Sequence, residues 1–184
     1  MENLFFNKKD LKYCGENVII GKTVRIRKPS ETIILDNTII DDFTYISSSV
    51  EIGKNCHIAS NVSISGGKGT LFIGDYSTIS NHCSIHCASS DYRNMSLDLP
   101  SVPEYMQFGG EIEDVNLGKY VTIGAHSCIL PGVIIPDGFA CGAFSLINKQ
   151  NYVPFSLYAG IPAKFLKSRN MVDDFLKKIE EYGK

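Results

Sequence analysis

An apolar residue, usually isoleucine, returns every six residues through much of this 184-residue chain. The positions in this phase are Ile34, Ile40, Ile46, Ile52, Ile58, Ile64, Ile73, Ile79, Ile85, Leu117, Ile123, Ile129, Ile135, Cys141, Ile147 and Val153. Helical faces repeat every 3.6 residues and a lone strand every two, so neither accounts for this spacing. A period of six predicts a parallel β-helix in which three hexapeptides form one coil and the phase residues point inward.

The interruptions of the period fall at one point of the coil. Grouping in threes predicts coils at 34–51, 52–69, 73–90, 117–134 and 135–152, with a partial coil at 18–29. Extra residues follow Ile26, Ile64 and Ile85, which all end the third segment of a coil, so all insertions should leave the same corner. The longest, residues 87–115, is rich in aromatic side chains, and loops of such length in compact domains are usually functional.

Composition excludes several classes of protein. The formal net charge is −2 and 21% of residues are charged, which argues against nucleic-acid binding. No apolar run approaches the length of a membrane span, and the first ten residues do not resemble a signal peptide, so a cytoplasmic location is expected. Cys56, Cys83 and Cys141 fall at inward positions, which predicts buried free thiols in place of disulfides.

The period stops after Val153, and a different pattern follows it. Residues 170–182 predict a helix with Asn170 as N-cap and an apolar stripe, which would close the open end of the solenoid. The predicted organisation is therefore a β-helix domain over residues 1–168, carrying the inserted loop 87–115, and a helix within residues 169–184.

Several segments resemble a known family. The hexapeptide run, CSIHCASSDYR, VTIGAHSCILPGV and LYAGIPAKFLK together resemble the left-handed β-helix acyltransferases over about residues 18–168. VEIGKNCHIASN, IGDYSTIS and YAGIPAKF are most similar to the group that acylates precursors of bacterial surface sugars. That group includes the dTDP-4-amino-4,6-dideoxyglucose acetyltransferases and the capsule or O-antigen sugar O-acetyltransferases. The resemblance implies left-handed winding, acetyl-CoA as co-substrate and a nucleotide sugar as acceptor. Flat outer faces further favour a homotrimer with equivalent clefts between its subunits.

Histidine is the natural base for acetyl transfer near neutral pH. His57 precedes inward Ile58, so it points outward from the second face, and by resemblance it lines the acceptor site. Its expected carboxylate partner is Asp91 or another acid. His82 is the second candidate, at a corner.

The left-handed β-helix acyltransferases that this chain resembles include the galactoside and maltose acetyltransferases. The galactoside-type enzymes carry their catalytic histidine where this chain has Ser90, so the usual base is missing here. Two alternatives therefore stay open: His86, or an acceptor amine that needs no protein base. Asn61, His82 and His126 share one corner and should form a ladder along that edge.

The remaining site residues come mainly from the resemblance. It matches CoA-contacting positions to Ala125, Ala143, Asn148, Lys149 and Lys164. Ser90, Tyr92 and Arg93 in the long loop are candidates for binding the nucleotide sugar, since stacking and cationic groups suit a nucleotide.

Together these features predict an acetyl-CoA-dependent acetyltransferase acting on the amino group of a dTDP-4-amino-4,6-dideoxyglucose-type sugar for surface polysaccharide. The alternatives are a sugar O-acetyltransferase of capsule or O-antigen and, in another class, a non-catalytic β-helix scaffold. A zinc site formed by His57, His82 and His86 is the least favoured hypothesis, because the three histidines fall on different faces or corners of the prism. No metal is expected.

Overall fold

The computed structural model describes residues 2–170 and 175–182, and in this part of the chain it is almost entirely β-structure. The strands are β1 (Tyr13–Cys14), β2 (Ile19–Ile20), β3 (Arg25–Ile26), β4 (Thr32–Ile34), β5 (Ile39–Ile40), β6 (Tyr45–Ile46), β7 (Ser49–Ile52), β8 (His57–Ile58), β9 (Ser63–Ser65), β10 (Thr70–Ile73), β11 (Thr78–Ile79), β12 (Ser84–His86), β13 (Ala88–Ser89), β14 (Glu111–Ile112), β15 (Val115–Leu117), β16 (Thr122–Ile123), β17 (Cys128–Ile129), β18 (Ile134–Ile135), β19 (Ala140–Cys141), β20 (Leu146–Ile147), β21 (Ser156–Ala159) and β22 (Lys164–Ser168). Short 3₁₀ helices occupy Lys8–Asp10, Pro29–Glu31 and Glu104–Met106, and α1 spans Phe175–Tyr182.

The strands of successive coils stack into three sheets. Sheet A contains β1, β4, β7, β10, β15 and β18; sheet B contains β2, β5, β8, β11, β16, β19, β21 and β22; sheet C contains β3, β6, β9, β12, β17 and β20. All neighbours within them are parallel, except that β22 returns antiparallel to β21. The predicted left-handed parallel β-helix of hexapeptide repeats is confirmed. We name its edges the A–B, B–C and C–A corners after the sheets that they join.

The six-residue phase forms the interior of the prism. Every phase residue from Ile34 to Ile147 is at most 4% exposed. The small residues two positions earlier are buried as well, and their hydroxyl groups bond the backbone of a neighbouring coil, as Thr38 Oγ1 donates to Gly53 O at 2.8 Å. Most buried polar groups in proteins are hydrogen-bonded in this way, because an unpaired one costs free energy. All six cysteines are free, as predicted.

The predicted inward position of Val153 is wrong, since its side chain is 50% exposed. Pro154 follows it and ends the regular coil, so among the residues that the structure describes the last layer of the prism is continued by a strand only on sheet B, where β21 pairs with β19. Large rings fill that layer: Phe139 lies 5.1 Å from both Tyr152 and Tyr158 between ring centroids, and all three are buried.

These rings close the open end, the role that the sequence suggested for the C-terminal helix. The described contact of α1 is elsewhere: Phe175 packs edge-on against Tyr120 at the A–B corner, with 5.4 Å between ring centroids. The predicted beginning of this helix falls partly on residues 171–174, outside the described residues. No helix among residues 2–170 and 175–182 is long and apolar enough to cross a membrane.

All three insertions leave the C–A corner, as predicted. The longest departs after β12 and returns at β15. Its base is a two-stranded antiparallel sheet, in which β13 pairs with β14. Beyond this base, Leu97 and Phe108 form an isolated bridge, while Tyr92, Met95 and Tyr105 are almost fully exposed.

Candidate active site

His57 and Asp41 form a hydrogen-bonded pair on the outer surface of sheet B. His57 Nε2 lies 2.8 Å from Asp41 Oδ2, and both side chains are close to half exposed. In the register of β5 and β8, His57 lies beside Ile39. Asp41 is two residues further on from Ile39 and shares its outward face, so Asp41 is the diagonal neighbour of His57. With Nε2–H donating to the carboxylate, Nδ1 keeps its lone pair and can accept a proton. Asp41 is thus the carboxylate partner that the sequence left open.

A stripe of small residues runs along sheet B from this pair towards the C-terminal end. It consists of Ala59, Ser80, Gly124, Gly142 and Ala159, which follow the paired strands β8, β11, β16 and β19 and end β21. A Cβ on Gly124 would lie 2.5 Å from Ala143 N, so only glycine fits at this position without a shift of the backbone. Three coil steps separate His57 from Ala143, which corresponds to about 14 Å at the usual strand spacing. A long, thin ligand fits such a surface.

The B–C corner borders this stripe with stacked rings. His82 and His126 are 4.8 Å apart between centroids and nearly parallel, and Phe144 continues the stack at 4.8 Å from His126. Asn61 holds the same left-handed corner conformation in the coil before, which confirms the predicted ladder. Bulky residues rarely adopt positive φ, and stacking between coils offsets part of that cost. His82 is therefore part of a structural column as well as a candidate base.

His86 lies on sheet C, half-buried, with its Nδ1 3.0 Å from Ser65 Oγ. Burial lowers the pKa of its imidazole. His57, His82 and His86 thus lie on sheet B, the B–C corner and sheet C, so the zinc triad weighed from the sequence does not form. No other group of three metal-ligating side chains occurs in the described part of the chain.

Asp91 organises the long loop and does not contact His57. Its carboxylate accepts hydrogen bonds from Asn94 Nδ2 at 2.9 Å and from the backbone N–H groups of Arg93 and Asn94. The hydrogen bond from Asn94 is the main cause that lowers the pKa of Asp91. The pairing of His57 with Asp91 is therefore wrong within one chain, because the loop leaves the C–A corner while His57 lies on sheet B.

The other loop candidates are open to solvent. Ser90 is exposed, Tyr92 is 88% exposed, and the Arg93 guanidinium lies 3.4 Å from Glu111 Oε1. The loop thus presents an aromatic ring, a cation and a hydroxyl on one short segment, which suits a nucleotide with its phosphates.

The predicted CoA-contacting residues divide into two groups. Ala125 and Ala143 lie at the B–C corner beside the small-residue stripe, and Lys164 pairs with Ala159 at the end of that stripe. The structure brings these three together along one edge of the prism.

Asn148 and Lys149 follow β20 at the C–A corner, on the other side of sheet C. The Lys149 ammonium contacts the carboxylates of both Glu113 and Glu111. An open cleft of about 710 Å³ beside it is lined by Gly132, Ile134, Pro136, Lys149, Gln150, Asn151 and Tyr152. Within one chain, this group is separate from the other three residues.

Sequence reasoning missed Asp41, Glu111 and Glu113. The six-residue period could have placed Asp41, because it follows inward Ile40 as Ala59 follows Ile58. The two glutamates carry no such signal, since they lie in the insertion where the period is lost.

Comparison with known proteins gives consistent relatives. The model of the bacterial transferase hexapeptide (six repeats) matches residues 31–66. The chain is 34% identical over 174 residues to the dTDP-4-amino-4,6-dideoxy-D-glucose acyltransferase of Escherichia coli, covering 92% of this chain and 88% of that protein. It is 31% identical over 160 residues to the putative lipopolysaccharide biosynthesis O-acetyl transferase WbbJ of Escherichia coli (strain K12), covering 85% of this chain and 71% of WbbJ.

A solved structure extends the likeness to almost every residue. AntD, an N-acyltransferase from Bacillus cereus in complex with dTDP and 3-hydroxybutyryl-CoA, superposes with a TM-score of 0.85 at 31% identity, covering 98% of this chain and 96% of AntD. Since both the β-helix and the long loop are shared over these lengths, the chain belongs to the hexapeptide-repeat acyltransferases, in the family of the dTDP-4-amino-4,6-dideoxy-D-glucose acyltransferases.

Proposed function

We propose that this enzyme transfers an acetyl group from acetyl-CoA to the amino group of a dTDP-linked 4-amino-4,6-dideoxyglucose-type sugar, for use in surface polysaccharide. The observation that carries the proposal is the extent of the likeness to two proteins. It covers 92% of this chain for an enzyme named for this sugar, and 98% for an N-acyltransferase solved with dTDP and an acyl-CoA. The small-residue stripe and the loop add surfaces of suitable shape for the two substrates.

His57 is the residue to which we assign proton removal. The reaction forms a C–N bond between the sugar amine and the acetyl carbonyl carbon and breaks the C–S bond of the thioester. His57 Nδ1 takes the proton that the amine loses and passes it to the departing sulfur, which leaves as the CoA thiol. Asp41 fixes the ring and its tautomer. His82, His86 and an amine deprotonated by solvent are the alternatives, and an unchanged turnover in His57→Ala would favour them.

We assign the donor to the edge that carries Ala125, Ala143 and Lys164. Small residues let the pantetheine arm approach the backbone of successive coils, and the Lys164 ammonium is suited to a phosphate. The stripe then leads the thioester towards His57.

A homotrimer with its sites between subunits is part of the proposal. Ser90, Tyr92 and Arg93 leave the C–A corner, whereas His57 lies on sheet B of the same chain. A closed three-fold ring would bring the loop of one copy to sheet B of the next, and would cover the exposed loop side chains. Six free cysteines, most of them buried, support a reducing cytoplasmic location.

Sugar O-acetylation is the second candidate, favoured by the 31% identity to WbbJ. The decisive experiment measures CoA release from acetyl-CoA with dTDP-4-amino-4,6-dideoxyglucose and with a matched dTDP-sugar that carries a hydroxyl in place of the amine. We expect turnover with the amine alone, and mass spectrometry should find one acetamide. Turnover with the hydroxyl sugar alone would establish the O-acetyltransferase. A parallel series with 3-hydroxybutyryl-CoA tests the acyl group, and stronger turnover than with acetyl-CoA would contradict the acetyl assignment.

A further inference from the structure

A line of alternating charges joins the long loop to the body of the solenoid. Arg93 Nη2 lies 3.4 Å from Glu111 Oε1, and Glu111 Oε2 lies 3.7 Å from Lys149 Nζ. The same ammonium makes a closer contact with Glu113 Oε1. Two cations and two carboxylates leave the group electrically neutral. It therefore attracts an added phosphate less than an unpaired lysine would.

The backbone places both glutamates at the base of the loop. Glu111 pairs with Ser89 in the antiparallel β13–β14 sheet, and Glu113 N–H donates to Cys87 O at 3.0 Å. Lys149 belongs to the coil after the next one and reaches them across the corner of the intervening coil. The ion pairs thus tie the returning arm of the loop to a rigid part of the prism.

Gly132 gives that corner the space which the ion pair needs. It has a φ of +72°, and a Cβ built on it would lie 2.1 Å from Glu113 Oε2 and 2.4 Å from Lys149 Cε. Any side chain there would displace the Lys149–Glu113 contact. The crossing of lysine and glutamate therefore depends on glycine at this position.

We infer that Lys149 is a positioning residue that fixes the base of the long loop through Glu113 and Glu111, and so holds Arg93 in place for the nucleotide sugar. The effect on binding of the nucleotide sugar rests on the proposed function, whereas the anchoring of the loop does not. The inference differs from the contact with CoA that family resemblance implies for Lys149. It predicts that loss of Lys149 impairs use of the sugar and not of the acyl donor.

Trypsin measures the anchoring directly, without any substrate. Arg93 is the sole lysine or arginine between Lys68 and Lys119, so cleavage within the loop yields residues 1–93 and 94–184. Lys149→Met keeps most of the aliphatic stem and removes the charge. Because half-exposed ion pairs contribute modestly, we expect cleavage after Arg93 to accelerate about fivefold in Lys149→Met, with a similar rise in KM for the nucleotide sugar.

Two further variants separate anchoring from other effects. Lys149→Arg retains the charge and should cleave at nearly the native rate. Glu104→Gln removes the contact with Lys68 at the outer part of the same loop, where both side chains are at least 70% exposed, and should change neither cleavage nor KM. An equal acceleration in Glu104→Gln would overturn the assignment, because the loop would then respond to any lost charge.

The kinetic constants decide between positioning and phosphate binding. In Lys149→Met, the KM for acetyl-CoA should stay within about twofold of the native value, given that the half-exposed network is neutral. Unchanged cleavage together with a raised KM for acetyl-CoA would reject anchoring and make Lys149 a donor ligand. Should the native enzyme acylate no amino sugar while the cleavage results hold, the proposed function fails and the anchoring stands.

Discussion

Replacement of His57 and Asp41, singly and together, tests the base assignment. Loss of a general base usually lowers turnover by about 10²- to 10⁴-fold, so His57→Ala should reduce kcat/KM for the amino sugar by at least about 10²-fold. The His57–Asp41 contact at 2.8 Å is 45% and 43% exposed at its two side chains, which places it among screened ion pairs. Such a pair contributes about 1 kcal/mol, and about 1.4 kcal/mol corresponds to a tenfold change in a rate or equilibrium constant. Asp41→Ala should therefore lower kcat/KM for the amino sugar about fivefold.

The His57→Ala, Asp41→Ala double variant gives the most specific prediction. If Asp41 acts through His57, Asp41→Ala should have no further effect in a His57→Ala background, and the two losses should not add. The assay is CoA thiol release with saturating acetyl-CoA and varied dTDP-4-amino-4,6-dideoxyglucose. Lys54→Met is the matched control, because it removes the 3.0 Å ion pair with Asp36 elsewhere on the solenoid.

Two results would refute the reasoning. A His57→Ala enzyme within about twofold of native activity, far short of the loss expected for a general base, would remove His57 from the chemistry. His82→Ala would then become the next variant to measure. A full Asp41→Ala loss that persists without His57 would mean that Asp41 contacts substrate itself. Circular dichroism and gel filtration of each variant guard against loss of fold or assembly.

Three further predictions concern the solenoid. Ile79→Ala empties a fully buried position and should lower the free energy of unfolding by about 2–5 kcal/mol in urea titrations, whereas a loss below about 1 kcal/mol would mean that the prism collapses around the cavity. The Lys54 ammonium, with Glu16 N–H, lowers the pKa of Asp36, so its stabilisation is complete above its unfolded pKa of about 3.9 and is lost as pH falls through the lower folded pKa. Thermal melts from pH 7 to 2 should therefore show a smaller acid-induced drop in Asp36→Asn than in the native protein, and equal drops would count against this contribution. Burial raises the pKa of the Cys56 thiol to about 11, so iodoacetamide at pH 8 should modify the partly exposed Cys128 in the native protein and Cys56 only after unfolding. Peptide mass spectrometry measures the modification of both cysteines.

Much of the fold was predictable because each six-residue step along the sequence corresponds to one face of a coil. An inward residue every six positions fixes the coil, its three faces and the corner at which insertions leave, and Ile79 and Ile123 obey it although a long loop intervenes. The same period placed His57 outward and predicted the His82–His126 ladder. It failed at Val153, where the described residues form no strand of sheet A beyond β18 and Pro154 ends the repeat.

Contacts between coils could not be predicted to the same degree, because insertions change the spacing in sequence of residues that are neighbours in space. His57 pairs with Ile39 across 18 residues and with Thr78 across 21, while Thr78 pairs with Thr122 across 44. The fold class, the outward histidine and the position of the long loop were therefore determined by the sequence alone. The tertiary structure decided that Asp41 meets His57 within one chain, and that Lys149 lies between two glutamates. The six-residue period puts Asp41 and His57 on one outer face, but it does not show which side chains bond across neighbouring coils. It gives no signal for the contacts of Lys149, because Glu111 and Glu113 lie in the insertion where the period is lost.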